Sequence, residues 1–224
     1  MQDLQQMLDE SDWWPRLEPG QRQRVLTETV VRDVAAGQVF SARGDAVEGW
    51  LGVVEGLVKV SIDAANGRSM TLAGVPAGGW FGEGSVLKDE PRRYDVVALR
   101  RSRIAVMPRQ TFHWLIDTSP AFSRFLLVQL NERLGHFIAA IEHQRLLGPE
   151  GRVARCLAQL FNPQLYPSTR SRLRISQSEL GLLTGLSRQR VNQALRKLEG
   201  LGLLETSYGG VTVVSVERLD AFEG

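Results

Sequence analysis

Short runs of apolar and polar residues follow one another from about residue 30 to residue 107. They are rich in β-branched and aromatic residues and read VVRDV, QVFSA, WLGVV, LVKVSI, SMTLAGV, YDVVAL and SRIAVM. Glycine-containing turns separate them, and Asn66-Gly67 is the strongest hairpin signal among these turns. Many short strands without an intervening helix predict an antiparallel sandwich or a barrel-like roll. Residues 1–29, which precede the runs, predict short helices with Trp13 and Trp14 as packing anchors.

A long helix is predicted to follow the strands, from about Pro120 to Leu147. Apolar residues three and four apart form a seam of the kind found in coiled coils: Leu127, Leu130, Leu134, Phe137 and Ile141. A second apolar set is expected to pack back on the roll: Phe122, Phe125, Leu126 and Ile138. A helix with two apolar faces needs two partners, so we expect the seam to pair with a second copy of the chain. The alternative is that both faces pack within one chain.

Two short helices joined by a tight turn are predicted between Ile175 and Glu199. Ser176 and Glu179 form a capping box that starts the first helix. Gly185 stands at the turn, where glycine has no steric cost, and Ser187 caps the second helix. Gly148 to Gly151 separate the long helix from this region, and the segment LLETSYGGVTVV beyond it predicts a hairpin that turns at Gly209-Gly210.

The outer face of the second helix carries two arginines, three amides and no acid: Arg188, Gln189, Asn192, Gln193 and Arg196. Such a face suits a DNA groove lined with hydrogen-bond acceptors and phosphates. The alternative is an ordinary amphipathic pair with a solvated polar face. The glycine turn and the acid-free face favour a DNA-binding helix-turn-helix, with the hairpin as the wing of a winged helix.

The charge distribution agrees with this prediction. Residues 145–200 hold ten Arg or Lys against three Glu, a surplus of seven positive charges. The whole chain has a net charge of only +2, so the remainder carries five net negative charges. Positive charge concentrated around the helix-turn-helix is the electrostatic footprint of a phosphate-binding surface.

Several classes of protein are excluded by composition. The single cysteine, Cys156, excludes a disulfide framework and any multi-cysteine zinc or iron–sulfur site within the chain. His136 and His143 are seven residues apart, about 10 Å along a helix, which is too far to share one metal. The chain shows neither a catalytic motif nor an apolar run of the ~20 residues that span a bilayer. We therefore expect a cytoplasmic protein with no catalytic residues, no metal site and no membrane partner. The alternative of a purely structural or adaptor protein would leave the basic, amide-rich helix unexplained.

A β-roll, a long helix and a winged helix in this order resemble the bacterial regulators typified by the catabolite activator protein and the oxygen regulator FNR. Two motifs carry the resemblance: FGEGSVL…PRRYDVVAL and SELGLLTGLSRQRVNQALRKLE. The implied fold class is α+β, with a cyclic-nucleotide-binding-like double-stranded β-helix, a dimerisation helix and a winged helix-turn-helix. The corresponding domains are 1–118, 119–147 and 148–224. The resemblance implies a homodimeric transcription regulator that binds a palindromic operator in double-stranded DNA, with RNA polymerase as a further partner.

The first motif resembles the phosphate-binding cassette of this family. In its cyclic-nucleotide-binding members a Gly-Glu pair and an Arg-Ser or Arg-Thr pair hold the phosphate and the ribose. Gly82-Glu83 match the first pair and Arg93 matches the arginine, whereas Tyr94 replaces the small hydroxyl residue. The expected chemistry is an anion near the backbone of Gly82 that is gripped bidentately by the arginine.

The effector itself stays open. Phe137 and Ile138 stand where the family's cyclic-AMP sensors read adenine with hydroxyl groups, and neither can hydrogen-bond an amine. The cassette could hold a cyclic mononucleotide such as cyclic AMP in altered form, or a different anion such as a cyclic dinucleotide or an apolar acid. It could also be a relic in which Glu83 and Arg93 pair. The expected effector contacts are Gly82, Glu83, Arg92, Arg93, Tyr94, Phe137 and Ile138, and the expected DNA contacts are Gln177, Ser178, Ser187, Arg188, Gln189, Arg190, Asn192 and Gln193.

Overall fold

The computed structural model describes residues 3–63, 69–169, 171–207 and 209–224, and of Ser69, His143 and Gln144 the backbone alone. The predicted Asn66-Gly67 turn lies outside the described residues. The chain divides into two compact units, unit 1 with Met1–Glu132 and Gln164–Ser168, and unit 2 with Arg133–Pro163 and Thr169–Gly224. The three predicted domains, with boundaries after residues 118 and 147, stay a prediction.

Unit 1 holds the β-roll and the helices around it. Its helices are α1 (Leu4–Asp9), α2 (Pro19–Glu28), α3 (Glu83–Leu87), α4 (Arg109–Thr118) and the first half of α5 (Pro120–Leu146). Its strands are β1 (Val30–Val34), β2 (Val39–Ser41), β3 (Gly49–Glu55), β4 (Leu57–Asp63), β5 (Ser69–Pro76), β6 (Trp80–Phe81), β7 (Asp95–Ala98) and β8 (Ser102–Pro108). They form two antiparallel sheets, in the orders β1-β8-β3-β6 and β2-β7-β4-β5.

Alternation along β3 and β8 sends side chains into two separate cores. Leu51 and Val53 of β3, with Ile104 of β8, belong to a core to which both sheets contribute. Trp50 and Met107 point to the opposite face, where the helices of unit 1 cover the sheet. This is the period of two expected of strands, in two strands that are buried on both faces of the sheet.

The second core is built from aromatic rings. The indole of Trp13 packs 5.7 Å from that of Trp50, 5.6 Å from that of Trp80 and 5.3 Å from the ring of Phe122, between ring centroids. Trp50 and Trp80 stack with their centroids 4.5 Å apart. Offset and edge-on arrangements of this kind stabilise beyond the area that they bury. The prediction that Trp13 is a packing anchor is confirmed.

A short segment outside the N-terminal part of the chain, Gln164–Ser168, belongs to unit 1. Leu165 and Tyr166 are buried in the core between the sheets, and the Tyr166 hydroxyl donates to the carbonyl oxygen of Gly74 at 3.0 Å. A Cβ on Gly79 would lie 2.8 Å from Cδ1 of Tyr166 and 2.6 Å from Cγ1 of Val75. The tyrosine ring therefore packs where the backbone of the roll carries no side chain.

Unit 2 contains the second half of α5, the helices α6 (Pro149–Leu160), α7 (Gln177–Thr184), α8 (Arg188–Gly200) and α9 (Val216–Asp220), and the strands β9 (Arg172–Leu173), β10 (Leu204–Ser207) and β11 (Gly210–Val213). The strands form an antiparallel sheet in the order β10-β11-β9. The predicted hairpin forms between β10 and β11, but Gly210 pairs with Ser207 as the first residue of β11 and does not lie in the turn. The α+β fold class, with an antiparallel β-roll, a long helix and a winged helix-turn-helix, is confirmed.

We expect Tyr166→Phe to lower the free energy of unfolding by about 1 kcal/mol, because the half-buried carbonyl of Gly74 loses the hydrogen bond from the tyrosine hydroxyl. Gly79→Ala should cost about 1–3 kcal/mol, since the added methyl group overpacks the tyrosine ring. Urea unfolding measures both values. Gly20→Ala is the matched control, because a Cβ at Gly20 in α2 meets nothing within 4 Å. If Gly79→Ala were as harmless as Gly20→Ala, Tyr166 would not pack against the roll.

Candidate DNA-binding surface and effector cassette

The start of the helix-turn-helix forms as predicted. The Ser176 hydroxyl accepts the N–H of Glu179 at 3.2 Å, and the Glu179 carboxylate accepts the N–H of Ser176 at 2.7 Å, which completes the capping box of α7. Gly185 ends α7 with φ +66°, a left-handed conformation that glycine adopts without strain. The Ser187 hydroxyl then accepts the N–H of Arg190 at 3.3 Å and caps α8.

Close packing between α7 and α8 depends on a glycine that sequence reasoning missed. A Cβ on Gly181 would lie 2.7 Å from the carbonyl oxygen of Leu186, so only glycine lets the turn fold back on α7. Arg152 of α6 donates to the carbonyl oxygen of Thr184 and holds the last turn of α7 from outside. The letters GLLTG contain a signal for this contact, namely a glycine four residues before the turn glycine.

The two faces of α8 divide as the periodicity predicted. Its buried residues are Val191, Ala194, Leu195 and Leu198. Its exposed residues include Arg188, Gln189, Arg190, Gln193 and Arg196, while Asn192 is half-buried. Of the other expected DNA contacts, Ser178 and Ser187 are exposed and Gln177 is half-buried. The exposed face of α8 around Gln189 and Gln193 therefore carries arginine and amide groups and no acidic residue.

A carboxylate near the end of α8 fixes the wing. The Glu199 carboxylate accepts hydrogen bonds from the N–H of Thr206 at 2.7 Å and from the Thr206 hydroxyl at 2.9 Å, which joins the helix to β10. Both hydrogen bonds lower the pKa of Glu199, and the one from the backbone N–H has the larger effect. The sequence contains no local signal for this contact, because the two residues lie in different elements.

In the cassette, Gly82 precedes α3 with φ +87° and Glu83 begins the helix. Only 2% of the surface of Glu83 is exposed, and its carboxylate accepts the indole N–H of Trp50 at 3.4 Å. The carboxylate that the family resemblance assigns to a ribose hydroxyl is thus held at the edge of the aromatic core. Tyr94 is half-buried against the core between the sheets.

The structure exchanges the roles expected of the two adjacent arginines. Arg92 lies against the cassette, with Nη1 3.3 Å from the carbonyl oxygen of Gly82 and Nη2 3.3 Å from that of Gly49. Arg93 has a side chain that is 67% exposed and grips Glu90 through two hydrogen bonds of 2.7 and 2.9 Å. The expectation that Arg93 faces the cassette is corrected to Arg92, and the alternative pairing of Arg93 with Glu83 is wrong.

The ion pair of Arg93 with Glu90 lies at the surface and shifts the pKa of both groups. The hydrogen bonds from Arg93, followed by the contact with Lys88, lower the pKa of Glu90 to about 2. The same contact raises the pKa of Arg93. Both groups therefore stay charged over the whole physiological pH range.

The predicted seam of α5 exposes apolar side chains. Leu127, Leu134, Phe137 and Ile141 of the predicted seam are exposed, and Leu130 is half-buried. Phe122, Phe125 and Leu126 pack in the aromatic core as expected. Ile138 was expected to pack on the roll as well, but it is 60% exposed, because the burial of α5 in unit 1 ends at Gln129. Exposed apolar patches of this kind are typical of association surfaces.

The described residues contain no cluster of three or more His, Cys, Asp or Glu side chains arranged to hold a metal ion. None of the helices that they form is long and apolar enough to cross a membrane.

Two family models match successive parts of the chain. The cyclic nucleotide-binding domain matches residues 31–119, and the Crp-like helix-turn-helix domain matches residues 151–222. A domain of the first type followed by a helix-turn-helix of the second defines a DNA-binding transcription regulator. The chain belongs to the catabolite activator protein/FNR family of bacterial transcriptional regulators. This family consists of regulators and not of enzymes.

Individual relatives agree with this assignment. The chain is 28% identical over 166 residues to the cAMP-activated global transcriptional regulator CRP of Haemophilus influenzae, covering 72% of this chain and 73% of that protein. It is 28% identical over 190 residues to the CRP-like cAMP-activated global transcriptional regulator of Mycobacterium tuberculosis, covering 84% and 85%. Among solved structures, FixK2 of Bradyrhizobium japonicum has the same fold, with a TM-score of 0.71, 18% identity and coverage of 88% and 98%.

The contact between Glu199 and the wing predicts a pH dependence. We expect the carboxyl of Glu199 to titrate below its ordinary pKa of 4.5, and its midpoint to rise in Thr206→Val, which removes the hydroxyl and keeps the backbone N–H. Because the folded pKa is depressed, this contact stabilises the wing above the ordinary pKa and is lost as the pH falls through the folded value. Carbon-detected NMR of the glutamate carboxyls measures the midpoint. An ordinary midpoint in the wild type would mean that the helix and wing are not joined here.

Proposed function

We propose that the protein is a homodimeric, sequence-specific DNA-binding regulator of transcription whose DNA affinity is controlled by a small anionic effector. The observation that carries the proposal is the exposed face of α8, which presents Arg188, Gln189 and Gln193 without an acid. The two amides can pair with adenine and the arginine with guanine in a major groove. RNA polymerase is the further partner that membership of the family implies.

The backbone of unit 2 supports α8 in this role. Its N-terminal turn is capped by Ser187, its inner face is buried, and Glu199 holds the wing to its far end. A recognition helix must be rigid, because a displacement of its base-contacting side chains breaks several hydrogen bonds at once. The exposed positions Ser178 and Arg190 at the start of α7 and α8 are suited to contacts with phosphates, which position the helix without reading sequence.

Association of two copies is supported by the exposed apolar seam of α5. Leu127, Leu134 and Ile141 are each more than half exposed, which is costly for leucine and isoleucine in water. Two copies related by a two-fold axis would cover the same seam on both helices. Two recognition helices would then bind half-sites whose centres lie roughly 34 Å apart, so the operator should be a palindrome.

The DNA-binding proposal is tested with selected operator sequences. Arg188→Ala and Gln189→Ala should each cost about 1–3 kcal/mol of binding free energy and relax the preference at one base step. Arg190→Ala should instead weaken binding to all sequences alike. It should also reduce the slope of the logarithm of affinity against the logarithm of salt concentration by about one. Arg218→Ala is the control, because it removes an exposed arginine from unit 2 outside the helix-turn-helix. Selected sites without dyad symmetry, or equal losses in Arg188→Ala and Arg218→Ala, would contradict the proposal.

The dimer proposal is tested at the middle of the seam. We expect Leu134→Glu to give monomers in analytical sedimentation at micromolar concentration, since it places a charge on both sides of the two-fold axis. Leu134 is 58% exposed within the single chain, so the fold of each monomer should survive, as circular dichroism would report. Leu201→Glu replaces another exposed leucine in unit 2 and should leave the association unchanged. A Leu134→Glu protein that still sediments as a dimer would place the interface elsewhere.

A further inference from the structure

Arg152 of α6 lies against the turn of the helix-turn-helix. Its guanidinium donates to the carbonyl oxygen of Thr184, which is the last residue of α7. A Cβ on the next residue, Gly185, would lie 3.4 Å from Nη2 of the same arginine. Arg152 is half-buried, so its side chain is held within unit 2 and does not extend freely into water. The arginine thus joins α6 to the point where α7 ends and the turn begins.

The end of α7 is a favourable place for this positive charge. The last carbonyl groups of a helix have no partner within the helix and form the negative end of its dipole. A hydrogen bond from a charged donor is about twice as strong as one between neutral groups. The charge of Arg152 also acts on Cys156, one turn further along α6. Burial raises the pKa of that thiol to about 12, and the nearby arginine opposes the rise.

The turn that Arg152 holds leads directly into α8. Its glycine, Gly185, has φ +66°, and a glycine loses more conformational freedom on folding than any other residue. Leu186 follows and donates its N–H to the carbonyl oxygen of Gly181 at 3.1 Å. Ser187 then caps α8. A hydrogen bond at the start of so short a turn therefore restricts where the first turn of α8 can lie.

The position of α8 matters more for reading bases than for attraction to phosphates. Its inner face is buried, Glu199 joins its far end to the wing, and Arg152 restrains the turn before it. The last restraint is the one next to Arg188 and Gln189, the side chains proposed to contact bases. Such contacts need a placement within about 0.5 Å of the required geometry. Attraction to phosphates is electrostatic and falls off slowly with distance, so it tolerates larger displacements.

We propose that Arg152 is a positioning residue for base recognition, which sets the start of α8 by binding the end of α7. Its loss lowers the selectivity for the operator more than the affinity for DNA in general. The inference rests on the proposed function, because it deepens the account of the same DNA-binding surface. In this role Arg152 acts through Thr184 and the turn, and it needs no contact with DNA.

The test compares specific with non-specific binding by the full-length protein. Fluorescence anisotropy measures the affinity for an operator obtained by selection and for a scrambled duplex of the same length and composition, at several salt concentrations. Arg152→Met removes the donor and the charge and keeps a long side chain. We expect it to lower the affinity for the operator about fivefold or more, as for the loss of one hydrogen bond, and that for the scrambled duplex less than about twofold. The salt dependence should not change.

Two variants serve as rescue and control. Arg152→Lys keeps the charge and a donor, so on a logarithmic scale it should restore about half or more of the lost operator affinity. Arg155→Met removes the same charge from the same helix. The side chain of Arg155 is 16% exposed and forms an ion pair with Asp220 of α9 at 3.2 Å. This variant should leave the ratio of operator affinity to scrambled-duplex affinity unchanged.

Hydrogen exchange gives a measurement that does not depend on DNA. The amide of Leu186, which donates to Gly181, should exchange faster in Arg152→Met and not in Arg155→Met. The comparison is made at a temperature at which circular dichroism shows both variants folded. A rise of exchange spread evenly over unit 2 would mean general destabilisation and would overturn the proposal.

The affinities can overturn the proposal as well. It is wrong if Arg152→Met leaves the ratio of the two affinities unchanged, or if Arg155→Met lowers that ratio as much. An equal loss on both duplexes, together with a smaller salt dependence, would make Arg152 a phosphate contact instead. A wild-type chain that selects an operator whose preference Arg152→Met does not alter keeps the proposed function and loses only this role. A wild-type chain that selects no operator contradicts the proposed function itself.

Discussion

The strands β3, β6 and β8 are buried on both faces of their sheet, and much of unit 1 is arranged to satisfy this constraint. One face packs on the second sheet through residues such as Leu51 and Ile104. The other would expose Trp50 and Met107 to water if the N-terminal helices, α4 and the start of α5 did not cover it. The N-terminal tryptophans are therefore structural, because Trp13 closes the aromatic core over Trp50 and Trp80.

This constraint also decides what the cassette can do. Trp50 lies on the covered face and its indole N–H is satisfied by Glu83, so a carboxylate suited to a ribose hydroxyl takes part in the packing of the roll. A ribose hydroxyl at Glu83 would share a carboxylate that already accepts the indole N–H of Trp50 through one oxygen, because an ionised carboxylate has further acceptor sites. Arg92 is buried in the same part of unit 1, and its Nε–H has no hydrogen-bond partner.

The parts of the fold that the sequence predicted correctly are those with local signals. The capping box at Ser176, the left-handed Gly185 and the cap at Ser187 lie within twelve residues, and each specifies its own backbone geometry. The choice between Arg92 and Arg93 depends instead on backbone hydrogen bonds to Gly44 and Asp45, far away in the sequence, so the motif PRRY alone could not decide it. Similarly, periodicity assigned Ile138 to a packed face, but periodicity does not show where along α5 the neighbouring core ends.

The same distinction between local and nonlocal constraints separates the two functional regions of the chain. The DNA-binding surface needs only that α8 be capped, buried on one side and free of acids on the other, and these conditions are met within unit 2. An effector site needs charged groups from several strands to converge, and burial then decides which charges are free to bind. Arg93 matches the family motif, but it is exposed and already paired with Glu90, whereas Arg92 is buried with a donor unused. A buried charge without a counter-ion gains more from an anion than an exposed, paired charge does. An anion at this end of unit 1 would therefore be stabilised more by Arg92 than by Arg93.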